Sequence, residues 1–160
     1  LKNLFGGDSG IEITAPVAGK VVALEDVPDP TFAQGILGPG IAIEPAEGRI
    51  VAPADGTVDV MFETGHAVSL TTADGAELLI HVGIDTVQLE GKHYKACCKA
   101  GQQVKKGDVL IEFDPAAIKA EGYKIVTPVL ICNPDTFKDV KSVAGETVSA
   151  GDALLHLETK

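Results

Sequence analysis

Gly65-His66-Ala67-Val68-Ser69-Leu70-Thr71-Thr72-Ala73-Asp74-Gly75-Ala76-Glu77-Leu78-Leu79-Ile80-His81-Val82-Gly83-Ile84-Asp85-Thr86 decides how the chain is read. Alternating, β-prone residues flank Asp74-Gly75, a strong hairpin signal. With Asp74-Gly75 as a two-residue loop, His66 faces Gly83 and Val68 faces His81. With the turn centred one residue earlier, His66 faces His81 directly. Side chains alternate along a strand, so either register puts both imidazoles on one face. They would lie opposite or diagonal, roughly 5–8 Å apart at Cβ. Only a one-residue slip would separate them. Two imidazoles that share a proton, a metal or a phosphoryl group can do chemistry, which makes His66 and His81 the candidate functional pair.

Working outward, the chain copies its own phrases. Ala15-Pro16-Val17-Ala18-Gly19-Lys20-Val21-Val22 recurs as Ala52-Pro53-Ala54-Asp55-Gly56-Thr57-Val58-Asp59. Ala100-Gly101-Gln102-Gln103-Val104-Lys105-Lys106-Gly107-Asp108-Val109-Leu110 recurs as Ala144-Gly145-Glu146-Thr147-Val148-Ser149-Ala150-Gly151-Asp152-Ala153-Leu154. Early and late segments are each copied once, which predicts a duplicated β architecture with approximate two-fold symmetry. In the late phrases Gly-Asp marks a turn before an alternating strand. Biotinyl and lipoyl carrier domains have similar phrases, but the lysine triplet at a hairpin tip that those carriers need is absent, and Lys20 lacks that context.

Further strands are expected at Ile11–Thr14, Ile41–Pro45, Arg49–Val51 and Thr57–Phe62. Another is expected over Lys124–Cys132, where Pro128 demands an edge, a bulge or a strand start. Asp114-Pro115 and Asn133-Pro134 each give an N-cap followed by Pro at the first helical position, so short helices are expected over 114–120 and 133–140. Glu25 to Gly40 is rich in Pro and Gly and reads as a long irregular loop of the functional kind. Phe32, Ile36 and Leu37 lie either beneath it as core or outside it as a docking patch. The expected fold is all-β, an antiparallel sandwich or barrel of many short strands with one or two short helices.

Composition bounds the function. The 160 residues suit one domain, expected over 11–160, with 1–10 as a flexible segment or linker carrying Gly6-Gly7-Asp8-Ser9-Gly10. Aromatics are only 4% and Trp is absent, so the core must be aliphatic. The net charge of −10 disfavours nucleic acid, which wants a basic surface, and admits a basic protein partner. Three cysteines, two of them the adjacent Cys97-Cys98, form no disulfide framework and read as reduced thiols in a cytoplasmic setting. No apolar run approaches a membrane span, and no signal peptide is visible.

Gly75-Ala76-Glu77-Leu78-Leu79-Ile80-His81-Val82-Gly83-Ile84-Asp85-Thr86-Val87 resembles the signature of the glucose-family IIA component of the bacterial sugar phosphotransferase system. Asp26-Val27-Pro28-Asp29, Gly40-Ile41-Ala42-Ile43, Ala52-Pro53-Ala54-Asp55-Gly56-Thr57 and Phe62-Glu63-Thr64-Gly65-His66 resemble further family segments in the same order. The resemblance runs from about Ile11 to the C-terminus and implies a duplicated-hybrid-motif type of fold. It implies that His81 accepts a phosphoryl group from the phosphohistidine of the small carrier HPr. His81 would pass it to a cysteine of a IIB domain, which phosphorylates sugar entering through a membrane IIC transporter. By the same analogy His66 hydrogen-bonds the phosphoryl group, Thr64 orients His66, and the Gly83 carbonyl holds the His81 ring with Nε2 free. Phe32, Ile36, Leu37, Phe62, Leu79 and Val87 match the family's apolar docking face, and Asp29 and Asp85 match carboxylates that meet basic groups on HPr. Asp29 also reads as a turn residue before Pro30, and Phe62 and Leu79 also read as core. No cofactor or metal is called for.

Two other classes stand beside this one. A metal-binding domain would use His66 and His81 with a carboxylate such as Asp85 or Glu63. A regulatory binding module would use phosphorylation of His81 to control an apolar face toward other protein targets.

Overall fold

The computed structural model describes residues 10–160, so the expected linker lies outside the described residues except for Gly10. Fourteen strands and two short α-helices carry these residues. In chain order the strands are β1 (Gly10–Thr14), β2 (Gly19–Val22), β3 (Gly40–Pro45), β4 (Arg49–Val51), β5 (Gly56–Met61), β6 (Ala67–Thr72) and β7 (Glu77–His81). They continue as β8 (Tyr94–Ala96), β9 (Gln103–Val104), β10 (Val109–Phe113), β11 (Thr127–Ile131), β12 (Phe137–Ser142), β13 (Thr147–Val148) and β14 (Ala153–Thr159). Helix α1 is Pro30–Ala33 and α2 is Pro115–Ala120.

The duplication foreseen in the sequence is written into the hydrogen bonds. Thr14 donates its amide to the Pro53 carbonyl, and Val51, its counterpart, donates to Pro16. Ala15 donates to Asp152 and Ala52 to Asp108; Val21 donates to Glu146 and Val58 to Gln102. The largest sheet runs β13-β2-β3-β11-β7-β6-β5-β9, flanked by the smaller sheets β1-β14-β12 and β4-β10-β8. Exchanging the two copies reverses the order of the large sheet and swaps the small ones, so the pseudo-two-fold axis passes between β7 and β11. The sheets pack as a sandwich and do not close into a barrel.

Ile43, Ile50, Leu70, Leu78, Ile80, Leu110 and Ile131 are fully buried in an aliphatic core between the layers. The other face of the large sheet has a second, smaller cluster. There Val27 and Phe32 from the Pro/Gly-rich segment pack over Ala42, Leu130 and Leu79. The centre of the sheet is therefore covered on both faces, and β11 is buried at every position.

Of the places open to Pro128, the structure takes the strand start: β11 is central, and Pro128 precedes its pairing with β7, which begins at Val129. Two expectations need correction. The helix expected over 133–140 is a 3-10 turn at Pro134–Thr136 followed by β12. Asn133 caps no helix there; its side chain accepts from the Glu77 amide over 2.8 Å and donates to the Gly75 carbonyl over 2.9 Å, closing the tip of the β6–β7 hairpin. The segment 25–40 is not wholly irregular, since Asp29 caps α1 by accepting from the Thr31 amide. Helix α2 forms as expected, with the Asp114 side chain accepting from the Ala117 amide.

The candidate functional site

The hairpin that carries both histidines takes neither expected register. Ala67 pairs with His81, Val68 with Ile80 and Leu70 with Leu78. The loop has three residues, Ala73-Asp74-Gly75: the Gly75 amide donates to Thr72, the Thr72 amide donates to Ala76, and Gly75 has φ +92°. This is a type I turn closed by a left-handed glycine, the second commonest hairpin connection. Alternation alone would then send His66 and His81 to opposite faces.

They meet because His66 is outside the ladder. Gly65 has φ +72°, which breaks the extended chain one residue before His66, and β6 begins only at Ala67. The His66 carbonyl still accepts from the Val82 amide over 2.7 Å. Its ring stands against His81, with centroids 4.9 Å apart and planes at 82°. Phe32 lies 5.0 Å from the His81 ring and Phe62 5.4 Å from His66, so apolar rings flank the pair on either side.

Each imidazole is held at one nitrogen. His81 Nδ1–H donates to the Gly83 carbonyl over 2.7 Å, which leaves Nε2 with its lone pair. Gly83 has φ +94°, and a Cβ there would fall 2.5 Å from Thr86 Cγ2 and 2.9 Å from the Lys124 carbonyl. The position thus demands glycine in both conformation and space. Thr64 Oγ1 hydrogen-bonds His66 Nδ1. With the hydroxyl as donor, the His66 proton sits on Nε2. The two rings then offer an N–H donor and a bare lone pair side by side.

Electrostatics keep both rings neutral. Burial, and then the neighbouring His81, lower the His66 pKa to about 4. Burial also lowers His81, outweighing the Gly83 carbonyl and the Asp29 and Asp85 carboxylates, which favour its charged form. Asp85 adopts a left-handed backbone, φ +61°, and places its exposed carboxylate beside the ring.

The candidate docking residues separate by exposure. Ile36 (66%), Val87 (52%), Leu37 (40%) and Phe62 (37%) project outward, an unusual set of large apolar side chains left in solvent. Phe32, at 5%, takes the core alternative open to it, with its ring against that of His81. Leu79 is half-buried against the same cluster. Asp29 takes the turn reading, capping α1, and its charge also reaches His81. The third ligand a metal reading needs is not brought in. Among the described residues no group of three or more His, Cys, Asp or Glu is placed to hold an ion.

Sequence reasoning missed Tyr94. Its ring stands edge-on to His66 at 6.5 Å, and its hydroxyl donates to the Val82 carbonyl over 2.7 Å. No local pattern announces it, because β8 and the hairpin are brought together only by the fold.

Residues 11–137 match the family model described as phosphoenolpyruvate-dependent sugar phosphotransferase system, EIIA 1. A glucose-specific EIIA component of Oceanobacillus iheyensis is 43% identical over 142 residues, covering 89% of this chain and 86% of its own. A beta-glucoside-specific EIIBCA component of Dickeya chrysanthemi is 48% identical over 143 residues, 89% of this chain, which spans only 23% of that relative's length. The solved glucose permease IIA of Mycoplasma capricolum superposes with a TM-score of 0.83 at 31% identity, covering 93% of this chain and 96% of its own. With motif, sandwich and paired histidines in agreement, the chain belongs to the EIIA 1 family of the phosphoenolpyruvate-dependent sugar phosphotransferase system.

Proposed function

We propose that this domain relays a phosphoryl group through His81. The donor is the phosphohistidine of HPr and the acceptor a cysteine of a IIB domain, with a membrane IIC transporter downstream. The Nε2 lone pair of His81 attacks phosphorus in line; the new N–P bond forms as the donor's N–P bond breaks, and the donor imidazole keeps the bonding pair. Onward transfer repeats the exchange, with the IIB thiolate as nucleophile and His81 Nε2 as leaving group. The domain is then a phosphotransferase with a phosphohistidine intermediate, and sugar never touches it.

The observation that carries this reading is the His81 Nδ1–H bond to the Gly83 carbonyl, which leaves a neutral Nε2 beside a second imidazole. Phosphoryl transfer needs little covalent help from the protein beyond positioning and charge stabilisation. His66, as an Nε2–H donor, supplies a hydrogen bond to the phosphoryl oxygens, with Thr64 fixing its tautomer. Exposed Ile36, Leu37, Phe62 and Val87 provide an apolar rim against which a partner excludes water. Asp29 and Asp85 would attract a basic partner and would repel a phosphoryl dianion, which favours handing it on. Among the described residues no helix is long and apolar enough to cross a membrane, compatible with work at the cytoplasmic side of a transporter.

The test is incubation with phosphoenolpyruvate, enzyme I and HPr. The parent chain should gain acid-labile phosphate and the His81→Ala variant none. Equal labelling of that variant would overturn the assignment.

A further inference from the structure

Tyr94 touches the backbone that holds both histidines. Its hydroxyl and Thr86 Oγ1 donate to the same oxygen, the Val82 carbonyl, over 2.7 and 2.8 Å. The Val82 amide donates to the His66 carbonyl over 2.7 Å. Val82 lies between His81 and Gly83, so its two peptide groups link the phosphoryl-accepting ring to the carbonyl that orients it. Fixing the Val82 carbonyl fixes the plane of the Val82–Gly83 peptide. That in turn restricts where the next carbonyl, Gly83, can stand relative to His81 Nδ1.

The same side chain bounds the other histidine. Tyr94 Cβ closes the space beside Gly65, where an added Cβ would approach it to 3.2 Å. Its ring meets His66 edge-on at 76°. Phe113 stacks behind it, 6.3 Å away and 23° from parallel, so the ring has packing on the far side as well.

We infer that Tyr94 is a positioning residue. Through the Val82 carbonyl it locks His81 in the tautomer with Nε2 free, and through Gly65 and the Val82 amide it sets His66 against it. Its consequence for rate rests on the relay reading; its consequence for the tautomer does not. Burial pushes the phenol pKa up to about 12, so the hydroxyl remains a donor throughout the working pH range. Because Thr86 donates to the same oxygen, loss of the Tyr94 hydroxyl leaves that carbonyl satisfied. The effect of removing it falls on position rather than on folding.

The Tyr94→Phe variant keeps the ring and its stacking. In the free protein, nitrogen NMR of the His81 ring should show a single Nδ1–H tautomer in the parent and a mixture in the variant. Phosphoryl acceptance at saturating phospho-HPr should fall between about tenfold and a hundredfold, as for a small misplacement of reacting groups, with KM for HPr unchanged. A folded variant with the parent's tautomer and rate would overturn the inference. Should Tyr94→Phe fail to fold, Thr86→Val, which leaves the Tyr94 hydroxyl on that carbonyl, should keep the parent's single tautomer, and a mixture there would give the locking role to Thr86 and overturn the inference. A parent chain that takes no phosphate from phospho-HPr would sink the relay reading alone, since the tautomer measurement needs no donor.

Discussion

His66 and His81 stand 4.9 Å apart, ring planes nearly perpendicular, although neither is the other's partner in the strand ladder. The contact depends on backbone that leaves regular β geometry at both ends. Gly65 turns the chain before His66, and Gly83 turns it after His81.

Gly83→Ala should therefore damage stability and chemistry together. The new Cβ would meet Thr86 and the Lys124 carbonyl below any tolerated distance, in a left-handed conformation. A loss of about 1–3 kcal/mol is expected in denaturant unfolding. Gly101→Ala, also at positive φ but facing open space, should cost no more than about 1 kcal/mol.

His66→Gln should leave phosphoryl acceptance intact and slow onward transfer to IIB. On the proposed relay it removes the ring that would donate to the phosphoryl oxygens, and losing one such donor costs about 10²–10³ in rate. Single-turnover transfer from the phosphorylated domain to IIB measures it. Transfer at the parent rate would remove His66 from the mechanism.

Acid should destabilise the fold through the same pair. Both folded-state pKa values lie below the ordinary imidazole value of 6.5, His66 at about 4. Between those values the unfolded chain binds more protons, so stability rises with pH there and is lost as pH falls. For His66 the full loss is about 3 kcal/mol, reached near pH 4. Denaturant midpoints from pH 7.5 to 4 should fall more steeply for the parent than for His66→Gln. Parallel curves would contradict the assigned environment.

Exposure separates the proposed docking residues from those that support the site. Ile36→Asp and Val87→Asp lie on open surface and should shift stability by no more than about 0.5 kcal/mol while raising KM for HPr. Phe32→Ala empties a buried site and should cost about 3–5 kcal/mol in unfolding.

The sequence made the architecture legible because its repeated phrases supply symmetry-related hydrogen bonds, Ala15 to Asp152 and Ala52 to Asp108. The histidine pair was legible too, but by a route the structure does not follow. Asp74-Gly75 suits both a two-residue loop and the three-residue loop that forms, and the difference of one residue decides which face each side chain takes. Asn133-Pro134 reads locally as a helix start, yet Asn133 spends its side chain on the neighbouring hairpin. Phe32 could not be divided between core and surface until the 25–40 segment was seen lying across Leu79 and Leu130. Tyr94 carries no local signal at all, since its contacts with Val82 and His66 exist only in the folded chain.

The central claim is that one particular nitrogen, Nε2 of His81, carries the phosphoryl group. Nitrogen and phosphorus NMR of the domain charged by phospho-HPr tests it directly. The account predicts a phosphorus coupled to Nε2 of His81, with the His66 ring unmodified. Phosphorus on Nδ1, or on His66, would contradict it.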